Sequence, residues 1–254
     1  MMSIKTQIIP FTGVVTLNEQ IQQLVAQEST SFIVVTGPAG TGKSAALQYL
    51  LDAMPQPENT MLPTCVRIFT FAKPSPQSLI RTIAETLEEK PAGNGEMGMI
   101  QYAATILQRN KVKLLIIDDA DRLSDRCLKF LGKIQENWQR PIVLAGLPQL
   151  SSKFNKTFFS DMPASHKISF PPPTTEVIVE EFLPQYQLDN WHFDPANPFD
   201  YQLGQHLWQQ ARPSLRKLVN ILRLASAMAA LDDTRITQEI VDECLMLMGL
   251  QCYE

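Results

Sequence analysis

The sequence predicts an α/β fold in which a parallel sheet, with helices on both faces, is followed by a small all-helical lid. Short apolar runs rich in β-branched residues alternate with helical patterns of about a dozen residues as far as residue 173. The run at 113–118 has the continuous apolar stretch expected of a central parallel strand. No strand pattern of comparable quality follows Thr174. We therefore expect an α/β domain over residues 1–173 and a helical domain over residues 174–254.

The first elements of the chain are predicted from spacing and from turn residues. Residues 17–27 carry apolar side chains at helical spacing, and residues 31–37 form an apolar run ending in glycine, which is typical of a buried strand. Residues 45–54 continue as a helix that stops before a proline-rich loop. A second strand is predicted at 65–71, and a helix with proline in its first turn at 76–90.

The same alternation continues through the rest of the α/β domain. A loop over 91–98 is followed by a helix at 99–110, a strand at 113–118, a helix at 124–138 and a strand at 141–146. A last strand pattern at 166–173 closes on three prolines. Beyond it, helical patterns lie at 176–187, 204–211, 214–231 and 237–250.

Composition excludes several classes of protein and limits the partners. Of the 254 residues, 44% are hydrophobic and 19% charged, which excludes a disordered chain, a collagen-like fibre and a coiled-coil rod. The net charge is −4, so a contact with nucleic acid has to come from a local basic patch. The four cysteines form no CxxC pair, which indicates reduced thiols rather than a zinc or disulfide framework. With neither a signal peptide nor a membrane span in the pattern, we expect a cytoplasmic protein.

The strongest motif is a glycine-rich phosphate loop. Residues 37–44 match G-x-x-x-x-G-K-[ST] without a mismatch, after a predicted strand and before a predicted helix. The glycines let backbone N–H groups turn inward around phosphate oxygens, and the helix N-terminus adds partial positive charge. We expect Lys43 to reach the β- and γ-phosphates of ATP and the Ser44 hydroxyl to bind Mg²⁺. The expected nucleotide contacts are Gly37, Pro38, Ala39, Gly40, Thr41, Gly42, Lys43, Ser44 and Ala45.

A second motif places two acids at the end of the third strand. Four apolar residues at 114–117 are followed by Asp118 and Asp119. A carboxylate at the carboxyl end of a central parallel strand lies where open α/β sheets bind their ligands. We expect Asp118 to hold magnesium through water, and Asp119 to orient or deprotonate the attacking water.

These motifs and the helical tail together resemble an AAA+ ATPase, a P-loop fold, over about residues 11 to 230. The finer resemblance is to the transposition regulators of the TnsC/TniB/MuB type. In that group an acidic strand end reading D-E-A-D-R-L is followed by V-L-V-G-T, and this chain has DDADRL at 118–123 and VLAGL at 143–147. The resemblance implies an ATPase that assembles with ATP and Mg²⁺ into a ring or filament on double-stranded DNA. It would link a TniQ-like target selector to a transposase.

Three departures from the family pattern concern hydrolysis. The family's glutamate is Asp119 here, which is one methylene shorter. The polar sensor residue after the fourth strand is replaced by Leu147. The segment that carries the family's arginine finger contains no arginine and offers Lys153, Lys156, His166 and Lys167 instead. Slow or absent hydrolysis is therefore one prediction.

The resemblance also implies residues for nucleotide sensing and for DNA. The segment at 211–218 resembles the sensor-2 helix, so that Arg216 would fold over the γ-phosphate; the alternative is a solvated arginine on an amphipathic helix. The family places its DNA contacts just after the second strand. The matching positions are Lys73, Ser75, Gln77 and Arg81, whose phosphate contacts would be independent of sequence.

Three functional classes stay open at this point. The first is an ATP-hydrolysing regulator of transposition that assembles on DNA. The second is an ATP-binding scaffold with little hydrolysis, which the shorter Asp119 and the missing finger arginine favour. The third is an AAA+ ATPase of another pathway, such as a helicase loader or a secretion ATPase.

Overall fold

The computed structural model describes residues 8–27, 30–54, 65–69, 74–158, 164–188, 191–231 and 234–249. By their contacts these residues divide into two compact units. The first, called the sheet unit, contains the described residues of 16–37 and 43–170. The second, called the helical unit, contains residues 8–15, Pro38–Gly42 and the described residues from Pro171 onward. The predicted domain boundary after residue 173 stays a prediction.

A five-stranded parallel sheet forms the centre of the sheet unit. Its strands are β1 (Phe32–Thr36), β2 (Cys65–Phe69), β3 (Leu114–Asp118), β4 (Ile142–Gly146) and β5 (Ser165–Ser169), in the order β2-β3-β4-β1-β5. Every residue of β3 and β4 is buried, as their unbroken apolar runs predict. Most of β5 is polar and only partly covered, which suits an edge strand. The predicted α/β fold class, a parallel sheet with helices around it followed by C-terminal helices, is confirmed.

Helices surround this sheet. They are α1 (Thr12–Ala26, whose first turn belongs to the helical unit), α2 (Lys43–Ala53), α3 (Pro76–Thr86), α4 (Gly95–Arg109), α5 (Asp125–Trp138) and α6 (Gln149–Thr157). One core of apolar side chains from β1 to β4 and from α3 to α6 fills the space between them. Burial of this surface is the main stabilising contribution to the unit, at about 25 cal/mol per Å² of apolar area.

Two of these helices begin earlier than the sequence predicts. Helix α1 begins at Thr12 rather than at residue 17, because the backbone N–H and hydroxyl of Thr12 donate to the two carboxylate oxygens of Glu181, at 2.5 and 2.6 Å. Helix α4 begins at Gly95 rather than at residue 99. Glu96 in its first turn forms ion pairs with Arg126 (3.3 Å) and Lys133 (3.2 Å) of α5. Both starts depend on residues distant in the chain.

Helix α6 is absent from the sequence prediction. Its sequence is polar, with only two apolar anchors, Leu150 and Phe154, and both are fully buried. The ring of Phe154 lies edge-on to Phe32 of β1, with 5.3 Å between the centroids. Two anchors four residues apart are too few to indicate a helix by periodicity.

The helical unit contains the remaining elements. After a π-helical turn (Val177–Phe182) and a 3₁₀ turn (Leu183–Gln185) come α7 (Pro198–Ala211), α8 (Leu215–Leu231) and α9 (Gln238–Leu247). The helical pattern predicted at 176–187 thus takes the form of these two turns, and Pro184, which has no N–H to donate, lies in the 3₁₀ turn. Helix α7 begins six residues before the predicted start, where the Asn197 side chain caps the N–H of Phe199 and proline follows. Within the described ranges, none of the helices is long and apolar enough to cross a membrane.

Candidate functional site

The ends of the predicted phosphate loop are joined in the sheet unit. The N–H of Gly37 donates to the carbonyl of Gly146 at the end of β4 (3.2 Å), and a Cβ on Gly37 would lie 2.0 Å from the carbonyl oxygen of Phe170. Only glycine fits this position. Lys43, the first residue of α2, is buried, and its ammonium donates to the carbonyl of Gly37 at 2.8 Å. The Lys43 charge is therefore held at the base of the loop.

The middle of the loop, residues 38–42, belongs to the helical unit. Gly40 has a φ of +77°, which other residues rarely adopt, and its carbonyl accepts the N–H of Leu215 at 2.8 Å. A Cβ on Gly40 would lie 2.2 Å from the hydroxyl of Ser214. Within the loop, the Thr41 hydroxyl donates to the carbonyl of Pro38 at 3.1 Å. The first residue of α8 is thus hydrogen-bonded to the loop backbone.

The two predicted acids of β3 have different environments. Asp118 is 2% exposed, and its Oδ1 accepts the N–H of Asp119 at 2.9 Å. Asp119 is exposed and adopts a left-handed conformation, with φ 54° and ψ 35°. Its carboxylate lies 4.0 Å from a guanidinium nitrogen of Arg122. The first acid is fixed inside the protein, whereas the second lies at the surface immediately after the strand.

Arg67 of β2 is a functional candidate that the sequence analysis missed. One guanidinium nitrogen lies 2.5 Å from Oδ2 of Asp118, and the side chains of both residues are at most 5% exposed. The other terminal nitrogen donates to the side chain of Gln48 at 3.2 Å, and the guanidinium carbon lies 4.3 Å from the centroid of the Phe69 ring. The signal that could have found it is an arginine inside the otherwise apolar strand CVRIF.

The sheet order sets the spacing between the two motifs. Strand β4 lies between β1, which leads into the phosphate loop, and β3, which ends at Asp118. Neighbouring strands are about 4.8 Å apart, so these two strand ends are separated by about 10 Å at the same edge of the sheet. This is the edge at which parallel α/β sheets bind ligands.

The chemistry of these groups fits a nucleotide and magnesium. The loop needs glycine where its backbone turns, and it has a buried ammonium at its base. Such loops bind phosphates through backbone N–H groups and through a lysine. Magnesium prefers oxygen ligands from carboxylates and hydroxyls. Asp118 supplies a buried carboxylate and Ser44 an exposed hydroxyl in the same unit.

The basic groups of the predicted finger segment differ in their environments: one is bound to backbone carbonyls and the others are exposed. The Lys153 ammonium donates to the carbonyls of Asp121 (3.1 Å) and Leu123, so it stabilises the turn after β3 in its own chain. The Oδ1 of Asp121 accepts the N–H of Leu147 (3.1 Å), which secures the end of β4. The predicted sensor position is thus held through its backbone. Other basic residues of this segment are exposed: Lys156, His166 and Lys167.

Three of the predicted DNA contacts lie on α3 or at its N-cap. Lys73 lies outside the described residues. Ser75 is the N-cap of α3, and its hydroxyl accepts the N–H of Ser78 at 3.1 Å. Gln77 and Arg81 are exposed on the same helix, and Arg81 lies 3.9 Å from Glu85. Three of the four positions therefore occupy one short surface segment.

Arg216, the predicted sensor-2 residue, is the second residue of α8. Its side chain is exposed. The turn before it is fixed by Ser214, whose hydroxyl accepts the N–H of Lys217 at 3.2 Å. The contact of Arg216 with a γ-phosphate stays a prediction.

Comparison with known proteins adds one family and several similar folds. The sequence profile of the family described as AAA domain matches residues 26–154, just over half of the chain. A search of curated proteins finds no match.

Three solved structures are similar in fold. Aeropyrum pernix ORC1 protein in complex with DNA aligns with a TM-score of 0.67 at 17% identity, over 93% of this chain and 64% of that one. Drosophila ORC bound to DNA aligns with a TM-score of 0.65 at 14% identity, over 99% of this chain and 64% of that one. A mutant of Thermotoga maritima RuvB aligns with a TM-score of 0.58 at 14% identity, over 94% of this chain and 69% of that one. The chain thus spans less than two thirds of the first two proteins.

Proposed function

The chain belongs to the AAA domain family, and we propose that it is a magnesium-dependent ATP-binding regulator that assembles on double-stranded DNA. One observation carries this proposal. A complete phosphate loop with the buried Lys43 at its base lies two strand positions from the buried Asp118, at the carboxyl edge of the sheet. Bound magnesium would supply positive charge to the phosphates. Lys43 would donate to phosphate oxygens, and Asp118 and Ser44 would hold the metal.

Assembly on DNA is the second part of the proposal. Two supports are the exposed residues on and before α3, and the DNA complexes of ORC1 and ORC with a similar fold. AAA+ nucleotide sites commonly lie between subunits, so we infer a ring or helical homo-oligomer that forms while ATP keeps its γ-phosphate. Contacts from Lys73, Ser75, Gln77 and Arg81 would reach phosphates and tolerate any sequence.

The pathway we propose is transposition. The support is the sequence DDADRL followed by VLAGL, which resembles the TnsC/TniB/MuB group. In this role the assembled protein would link a TniQ-like target selector to a transposase, both of which meet in the cytoplasm. The competing assignment is an AAA+ protein of another pathway, such as a helicase loader, which the similarity in fold to ORC1 favours.

The rate of ATP hydrolysis distinguishes two versions of the proposed regulator, an ATPase and an ATP-binding scaffold. An ATPase uses Asp119 to take a proton from the attacking water, whereas a scaffold binds ATP and turns it over slowly. The exposed, short Asp119 and the attachment of Lys153 to its own chain favour the scaffold.

The test combines assembly with a partner assay. The purified chain is mixed with plasmid DNA and ATP, ADP or a non-hydrolysable ATP analogue, and its assembly is followed by sedimentation and electron microscopy. We expect ATP-dependent, sequence-tolerant assemblies. If the ATP-bound chain leaves DNA uncoated, the DNA part of the proposal is wrong. A transposase encoded beside this gene, stimulated by the assemblies, would support transposition, and a replicative helicase as the stimulated partner would support a loader.

A further inference from the structure

Arg67 and Asp118 form a buried ion pair between two neighbouring strands. Phe69 of β2 is paired with Asp118 of β3, and Arg67 is paired with Ile116. Residues two apart in a strand face the same side of a sheet, so Arg67 reaches diagonally to Asp118. The guanidinium nitrogen lies 2.5 Å from Oδ2 of Asp118. The acid expected to hold magnesium therefore has a fixed positive charge, the Arg67 guanidinium, next to its carboxylate.

Other contacts hold the guanidinium in this position. Gln48 of α2 accepts a hydrogen bond from the second terminal nitrogen (3.2 Å), and the ring of Phe69 packs against the guanidinium. Asp118 is the one carboxylate within ion-pair distance of Arg67 among the residues that the structure describes. Because arginine stays protonated in proteins, the positive charge beside Asp118 is permanent.

We propose that Arg67 is a positioning residue that sets how much magnesium the site needs for nucleotide binding. The inference rests on the proposed nucleotide-binding function. Arg67 orients the carboxylate of Asp118 and neutralises its charge, so a divalent cation reaching Asp118 meets a carboxylate that is already paired. Like charges at short range repel strongly in a buried site. Without Arg67, the same affinity for nucleotide would be reached at a lower magnesium concentration.

A purely structural ion pair makes a different prediction. It would affect the free energy of unfolding and leave the magnesium dependence of nucleotide binding unchanged. The magnesium midpoint, meaning the free Mg²⁺ concentration at half of the affinity gain, therefore separates the two roles. Nucleotide affinity in EDTA provides the reference, because it does not involve the metal.

The experiment measures binding of a fluorescent, non-hydrolysable ATP analogue to the full chain in EDTA and across a magnesium series. The variants are Arg67→Gln and Arg67→Met, of which the second keeps an unbranched side chain against Phe69 and is used if the first does not fold. Arg109→Gln is the matched control, because it breaks an ion pair between Arg109, an exposed residue of α4, and Glu89. We expect both Arg67 variants to lower the magnesium midpoint on the order of tenfold, with affinity in EDTA and the control unchanged.

Two failures are distinguishable in this experiment. If the wild-type chain does not bind the analogue in magnesium, the proposed function is wrong. If the wild-type chain binds it and the folded Arg67 variants keep the wild-type magnesium midpoint, the proposed function stands and the role of Arg67 is overturned.

Discussion

The N–H of Leu215, the first residue of α8, donates to the carbonyl oxygen of Gly40 in the phosphate loop at 2.8 Å. This hydrogen bond joins the loop and the helix start through their backbone atoms. Ser214 packs so closely on Gly40 that a single added Cβ would lie 2.2 Å from its hydroxyl. We therefore expect a conformational change in the phosphate loop to be coupled to the helix that carries Arg216.

Replacing Gly40 with alanine tests how tightly this contact is packed. Gly40→Ala should lower the free energy of unfolding by roughly 2–4 kcal/mol, because the left-handed backbone and the clash with Ser214 both add cost. Gly95→Ala is the matched control, since Gly95 also has a positive φ but has nothing within 4 Å of an added Cβ. Urea unfolding of both variants measures the difference. If both variants lose the same free energy of unfolding, the close contact between Gly40 and Ser214 adds nothing to the effect of Gly40→Ala.

Removing the charge at the base of the loop should weaken nucleotide binding. Lys43→Ala removes an ammonium whose charge-assisted bonds to phosphate are worth about 1.5–3 kcal/mol, so affinity for ATP should fall by roughly 10- to 150-fold. ATP-dependent assembly should be lost at the same nucleotide concentration. Lys156→Ala, at an exposed position of α6, is the control. Isothermal titration and sedimentation measure the two effects, and unchanged affinity would refute the role of the loop.

The segment from Lys73 to Arg81 should make electrostatic contacts to DNA. Replacing Lys73 and Arg81 by glutamine should weaken binding to all duplexes alike and reduce the salt dependence by about 0.9 in log–log slope for each lost phosphate contact. Ser75 is best left unchanged, because its hydroxyl caps α3. Filter binding across a salt series measures the slope, with Arg109→Gln as the control. If the double variant keeps the wild-type slope, the DNA surface lies elsewhere.

Local signals were sufficient for three strands of the sheet and for the loop, whereas β5 ends at Ser169 and not at residue 173 as predicted. The apolar runs that became β1, β3 and β4 were predicted to within one or two residues, because a buried parallel strand needs a continuous apolar run whatever surrounds it. The glycine pattern at 37–44 likewise depends on backbone geometry that only a few residues can adopt.

Features that depend on contacts between residues far apart in the chain could not be predicted from the sequence. The start of α1 depends on Glu181, which is 169 positions from Thr12 in the chain. Lys153 is a candidate for the finger role by its position in the sequence, but its ammonium donates to carbonyls after β3. The arginine inside CVRIF is visible in the sequence, but its ion pair is not, because Asp118 lies 51 positions away in the chain.

The left-handed backbone of Asp119 explains why this position tolerates aspartate. A φ of 54° is several-fold more favourable for aspartate and asparagine than for longer side chains such as glutamate. The shorter side chain thus suits the turn, but it extends less far towards an attacking water than a glutamate would. Turnover should therefore be slow while ATP binding remains intact.

Asp119→Asn tests this argument with little change in shape. Asparagine also adopts the left-handed conformation, so fold and ATP-dependent assembly should survive, whereas a neutral amide cannot take a proton from water. We expect the rate of phosphate release to fall by at least about tenfold from the slow wild-type rate predicted above, within the range that general-base catalysis contributes. Lysine, moreover, lacks the planar fork of an arginine finger, which is worth about 10³–10⁵ in rate. Wild-type turnover on DNA above about 1 s⁻¹, the lower end of typical enzymes, would contradict the slow-ATPase prediction and indicate that another residue acts as the finger.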